Sequence, residues 1–209
     1  MNAVPSLVLL VATAAALVPL ARDQAPSTAA AGTGFSATEA EALARKLDVL
    51  ARRSEAGKPP REKRVTVSES ELNSYLNVTL GPKIPKGVSD VSFRFEQDRL
   101  SARALVDLAE LQDEVPKGSL GGLLSFLSGK VPLAARGRLT ATDEGFGALA
   151  IEEVNLSTIP VPVSLIEQLV VSATKSTTSP QGFDIHSPFR LPYALKRVRI
   201  QPGRALLEY

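Results

Sequence analysis

The sequence predicts an α+β fold: an antiparallel sheet of about seven strands with three or four helices, preceded by an N-terminal signal segment and a peripheral helix. Three observations predict it. Apolar and polar residues alternate with period two in consecutive hairpins, the pattern of a sheet with one buried face. Helical periodicity is confined to a few separated segments, so the strand-helix-strand alternation of a parallel sheet is absent. The chain has 209 residues, 44% of them apolar, which suits one domain with its own core.

Residues 1–21 carry no charged side chain, and residues 4–21 are almost wholly apolar. They read as a secretory signal peptide, with small residues for cleavage near Ala14, Ala16 or Ala21. The n-region lacks Lys and Arg, and an uncleaved anchor is the alternative, since 18 helical residues reach about 27 Å. Either way the domain is exported and lies in a periplasmic or other extracytoplasmic space, free or membrane-anchored through residues 4–21. Residues 22–35, rich in Ala, Ser, Thr, Gly and Pro, form a flexible linker.

A helix over 36–57 starts at a capping box of Ser36 and Glu39 and closes at Gly57. Its narrow stripe of Leu43, Leu47 and Leu50 predicts peripheral docking. The remainder, 58–209, is a single α+β domain. The connector KPPREKR cannot be helical because of its paired prolines. A strand over 64–67 runs into a helix at a second capping box, Ser68 and Glu71, followed by Leu72, Tyr75 and Leu76. The first hairpin alternates Val91, Phe93 and Phe95 with Ser92, Arg94 and Glu96. Its return strand alternates Leu100, Ala102, Ala104, Val106 and Leu108 with Ser101, Arg103 and Asp107. The second places Val131, Leu133, Ala135, Leu139 and Ala141 before a turn at 143–145, and Phe146, Ala148, Ala150 and Val154 after it. Between the hairpins, 119–129 is a short helix or lid. A helix over 164–175 has an apolar arc of Leu165, Ile166, Leu169, Val170 and Ala173, wide enough to lie on the sheet. Strands at 182–187 and 195–209 end the chain, with Val198 and Ile200 facing opposite to Arg197 and Arg199.

Composition excludes several chemistries. With no cysteine and one histidine there is no disulfide, cysteine nucleophile, thiolate metal site or multi-histidine centre. The net charge of +2 is too small for a dedicated nucleic-acid binder. Ser172 and Lys175 form an S-x-x-K, but 19 serines and 9 lysines produce about one such pair by chance, and its companion elements are missing. Asn77 and Asn155 lie in glycosylation sequons. The reading is non-enzymatic, without a cofactor or metal. The polar strand faces bring Arg94, Arg103, Arg136, Arg138, Arg197 and Arg199 together if the hairpins share one sheet. The first four are then the expected contact with an anionic surface. The inner face mixes large residues with alanines, which either let a helix approach or leave room for an apolar ligand.

The segments VTVSESELNSYL, VSFRFEQDRLSARALVDL, RGRLTATDEGFGALAIEEV and LPYALKRVRIQPGRALLEY together resemble the tubular lipid-binding (TULIP-like) proteins of bacterial envelopes over residues 64–209. The resemblance implies a curved sheet around a helix, with lipid held in the groove between them; the chain departs from the lipoprotein members in lacking an acylated cysteine. The expected ligand is a lipid or other amphipathic small molecule lined by Phe93, Phe95, Ala102, Ala104, Val106, Leu133, Ala135, Leu165, Leu169 and Val170. The alternative is an envelope interaction module with a filled core that docks a protein partner or a membrane surface.

Overall fold

The computed structural model describes residues 34–56, 64–84, 87–111, 129–142, 144–174 and 180–209. The expected leader, the linker up to residue 33, the connector at 57–63 and most of the expected lid lie outside these residues. In chain order the elements are α1 (Ala37–Glu55), β1 (Arg64–Ser68), α2 (Glu69–Ser74, running on as a π turn over Tyr75–Thr79), β2 (Val88–Glu96), β3 (Arg99–Asp107) and α3 (Leu108–Leu111). They continue as β4 (Lys130–Ala141), β5 (Phe146–Leu156), β6 (Ile159–Pro160), α4 (Val163–Thr174), β7 (Phe189–Arg190), β8 (Arg197–Gln201) and β9 (Arg204–Glu208). The fold is α+β, and every strand pairing is antiparallel.

The strands form two sheets instead of one of about seven strands. β2, β3, β4, β5 and β6 follow in order, with β7 also on β5, while β1, β9 and β8 make a separate three-stranded sheet. The closing hairpin therefore pairs with the strand nearest the start of the domain, Arg64 opposite Glu208 and Ser68 opposite Arg204. Arg197 and Arg199 lie on the small sheet, apart from Arg94, Arg103, Arg136 and Arg138 on the large one.

The expected capping box at Ser68 is complete, whereas the one expected at Ser36 is only half formed. Ser68 accepts from the Glu71 amide while Glu71 accepts from the Ser68 amide. Ser36 accepts from the Glu39 amide, and its own N–H donates to Ser74 Oγ at 3.0 Å, pinning the start of α1 to α2. Nor is α1 peripheral. Leu43 and Leu50 are 2% and 3% exposed and sit in the largest core cluster with Val67, Phe95, Leu139, Val198, Ile200 and Leu207, between the two sheets. Lys46 fastens the helix to the β1–α2 corner through Thr66 O at 2.7 Å and the Glu71 carboxylate at 2.6 Å.

A bulge redirects β5. Arg136 pairs with Glu153 but Gly137 pairs with Ile151, so Glu152 is left over. From there toward the turn the alternation is inverted: Leu149 and Ile151 pack into the core in place of the expected Ala148 and Ala150. Gly137 permits this crossing, since a Cβ there would stand 2.7 Å from the Ala150 carbonyl oxygen. The expected strand at 182–187 is a turn instead. Asp184 accepts from the His186 amide and from Ser187 Oγ, an Asx-type capture that removes backbone donors from any ladder.

Candidate functional site

The expected lipid-lining residues do not share one site, and Phe93, Ala102 and Ala135 also border the polar cleft described below. Val106 is buried beside Val131, Val154, Leu156 and Val161, with Leu133, Ala135, Ile151, Leu165 and Ile166 packed against them where α4 meets the sheet. Val170 is buried too, and Ala104 packs with Leu76, Leu80 and Val91 under α2; the side chain of Leu169 lies outside the described residues. Phe93 and Phe95 alone of the set line the apolar cavity, which is away from α4. It measures about 80 Å³ and is walled by Leu43 and Leu47 of α1, Leu72 and Tyr75, and Val67, Leu139, Val198, Ile200, Ala205 and Leu207 of the strands.

The larger concavity, about 440 Å³, lies on the opposite, polar face of the large sheet. Register explains its shape. Ser92, Arg103, Ala134 and Asn155 stand opposite one another across β2 to β5, and Arg94, Ser101, Arg136 and Glu153 form the next row. Long and short side chains thus alternate like a checkerboard. Each arginine rises beside a serine or alanine that leaves a recess, and Arg103 has Arg94 and Arg136 as diagonal neighbours, about 7–8 Å away at the backbone. Three of the four arginines expected at an anionic surface are brought together here: Arg94, Arg103 and Arg136. Arg138 is drawn aside, because it and Arg99 share Glu152, the bulge residue, at 3.4 and 3.3 Å.

The α2 helix closes one end of the cleft. Asn73 donates to the Phe93 carbonyl and accepts from the Phe93 amide, at 2.9 and 2.7 Å. Glu69 accepts from the Phe95 amide, and Asn77 donates to the Val91 carbonyl at 2.6 Å. Side chains spaced i, i+4, i+8 therefore occupy the outer edge of β2 where a further strand would pair, and Glu69 and Asn73 become walls of the cleft.

The charges of the cleft are unequally satisfied. Glu96 accepts from Ser101 Oγ at 3.1 Å, Glu153 accepts from Asn155 at 2.7 Å and faces Arg136 at 3.8 Å, and Glu69 is held by the β2 backbone. The side chains of Arg94 and Arg103 have no hydrogen-bond or ion-pair partner among the described residues. No group of three or more His, Cys, Asp or Glu is placed to hold a metal ion among the described residues. His186 sits elsewhere, 2.7 Å from Glu167 of α4.

The sequence reading missed Glu69, Asn73, Glu96, Glu153, Asn155, Ser92 and Ser101 as site residues. Two signals were present: the i, i+4, i+8 run of polar residues at 69, 73 and 77, and the outward alternation of 153 and 155 on β5. Comparison with known proteins finds no match among family models, curated proteins or solved structures.

Proposed function

We propose that this is an exported, non-enzymatic cell-envelope module with a filled core, which binds the polar part of its partner in the arginine cleft of the large sheet. The observation that carries the reading is the contrast between the two concavities. Ligand pockets ordinarily span about 300–1,000 Å³. The polar cleft, at about 440 Å³, falls inside that range, whereas the apolar cavity, at about 80 Å³, is smaller than an engineered cavity of about 150 Å³ that binds benzene or xenon. An acyl chain has no ready-made place there, and the described α4 side chains Leu165 and Ile166 pack against the sheet. Binding fits the cleft better than catalysis because its carboxylates are held by amide, hydroxyl or guanidinium donors and not set against one another across a reacting centre. Export is supported by the uncharged apolar residues 1–21.

Native mass spectrometry of the full chain after exposure to envelope extract tests this. Charge reversal of Arg94 and Arg103 is expected to abolish the adduct, and Leu165→Met to leave it unchanged. An adduct that survives charge reversal but is lost on Leu165→Trp, with the variant still folded, overturns the reading in favour of lipid between α4 and the sheet.

A further inference from the structure

Resting on the proposed cleft, we infer that its ligand class is a phosphate ester carrying an ammonium group. The argument begins with what the cleft leaves unsatisfied. Two guanidinium groups, Arg94 and Arg103, stand on adjacent strands in neighbouring rows without an ionic partner among the described residues. Each offers a planar fork of donors suited to oxyanions. A carboxylate holds its two oxygens in one plane, a shape matched to a single fork. A phosphate ester keeps two or three peripheral oxygens at tetrahedral angles and can span both, across the recess left by Ser92 and Ser101 between them.

Charge balance sets the rest of the ligand. Arg94, Arg103 and Arg136 face Glu69, Glu96 and Glu153 within one cleft, so the lining is neutral as a whole. A polyanion gains at the arginines but is repelled by the three carboxylates, and a cation meets the reverse. A zwitterion matches both. Its phosphate lies on Arg94 and Arg103, and its ammonium reaches Glu96 or Glu69, each of which accepts a single hydrogen bond from a neutral donor in this structure. Arg136 is already engaged by Glu153 and acts as the rim.

The test is a titration of the isotope-labelled full chain by NMR with O-phosphoethanolamine, inorganic phosphate, ethanolamine and 4-aminobutyrate. O-Phosphoethanolamine is expected to shift the amides of 92–96, 101–103 and 134–136 saturably, and to bind at least fivefold more tightly than inorganic phosphate; ethanolamine alone is expected to give no shift. Arg94→Gln with Arg103→Gln should weaken it tenfold or more, and Glu96→Gln should weaken O-phosphoethanolamine but not phosphate. Competition by phosphatidylethanolamine vesicles would assign the group to a lipid headgroup, and its absence to a free ester. Saturable binding of 4-aminobutyrate at the same amides without any response to the phosphate compounds overturns the ligand class and keeps the cleft. Cleft amides that respond to none of the four overturn the class and the cleft together, as does binding that is unchanged in the folded double glutamine variant.

Discussion

Glu71 shows how much one side chain can join. It is 8% exposed, completes the capping box of α2 through the Ser68 amide, and receives Lys46 Nζ from α1 at 2.6 and 2.8 Å. A carboxylate in that position needs its cation, since removing one partner leaves an uncompensated charge in a poorly hydrated place. Lys46 remains about a third exposed, which tempers the cost. Lys46→Met is therefore expected to lower the unfolding free energy by about 2 kcal/mol in urea titration; a change under a few tenths would show that Glu71 is hydrated. The tyrosines make a second residue-scale case. All three in the chain, Tyr75, Tyr193 and Tyr209, have pKa values raised above 10.0 by burial, and mutual repulsion adds to the shift of Tyr193 and Tyr209. A phenol whose folded pKa exceeds its unfolded one contributes stability that is fully present below about pH 10 and is lost as pH rises through the folded value. Tyrosinate absorbance should thus lag behind that of free tyrosine on alkaline titration and then rise together with loss of the fold. A rise at ordinary tyrosine pH with the fold intact would contradict it. Tyr209 Oη is also buried without a partner among the described residues, so Tyr209→Phe should be neutral or stabilising by up to about 1 kcal/mol. The Ser68–Glu71 box was legible in the sequence because its partners lie three residues apart; the Lys46–Glu71 pair, 25 residues apart, was not, nor was Ser74, which takes the Ser36 amide that a box there would give to Glu39.

At the scale of elements, the edge of β2 is the informative feature. An unpaired strand edge invites pairing with another chain, and here α2 blocks it with Glu69, Asn73 and Asn77 instead of with a strand. Asn73 alone satisfies both polar groups of Phe93, so Asn73→Ala strands a donor and an acceptor at a half-buried edge. A loss of about 2 kcal/mol is expected, with concentration-dependent association by light scattering, because the freed edge becomes a template. If Asn73→Ala stays monomeric at unchanged stability, the helix is not what protects the edge. The same bonds engage the Asn77 amide, so a glycan at that sequon would require the ladder to break. Helix and strand identities were readable because period two and period 3.6 are local properties. The inverted half of β5 was not. Nothing in the tandem Glu152 and Glu153 says which one the ladder will skip until Gly137 on the partner strand is set against them.

For the whole molecule, the decisive contacts are the least local ones. Period two assigns each residue of a strand to a face but names no partner strand, and β1 meets β9 across 144 residues of chain at Arg64 and Glu208. That pairing splits the arginines between two sheets, brings α1 into the principal core and moves the apolar cavity away from α4. The stripe of Leu43, Leu47 and Leu50 looked too narrow for a core helix because its width measures only how much of the helix is buried, not how deeply. If the core is a packed support for the outer cleft, then filling the cavity of about 80 Å³ should help the fold and leave binding alone. Ala205 is buried on that wall, opposite Val67 of β1. Ala205→Val adds two methyl groups to space that already exists, and is expected to raise stability by about 0.5–1 kcal/mol in chemical denaturation. Adduct formation with envelope extract should be unchanged. Were the cavity instead the mouth of a site that opens for an apolar chain, the same substitution would stabilise the empty protein while suppressing its adduct, so measuring both quantities on one variant separates a supporting core from a binding one.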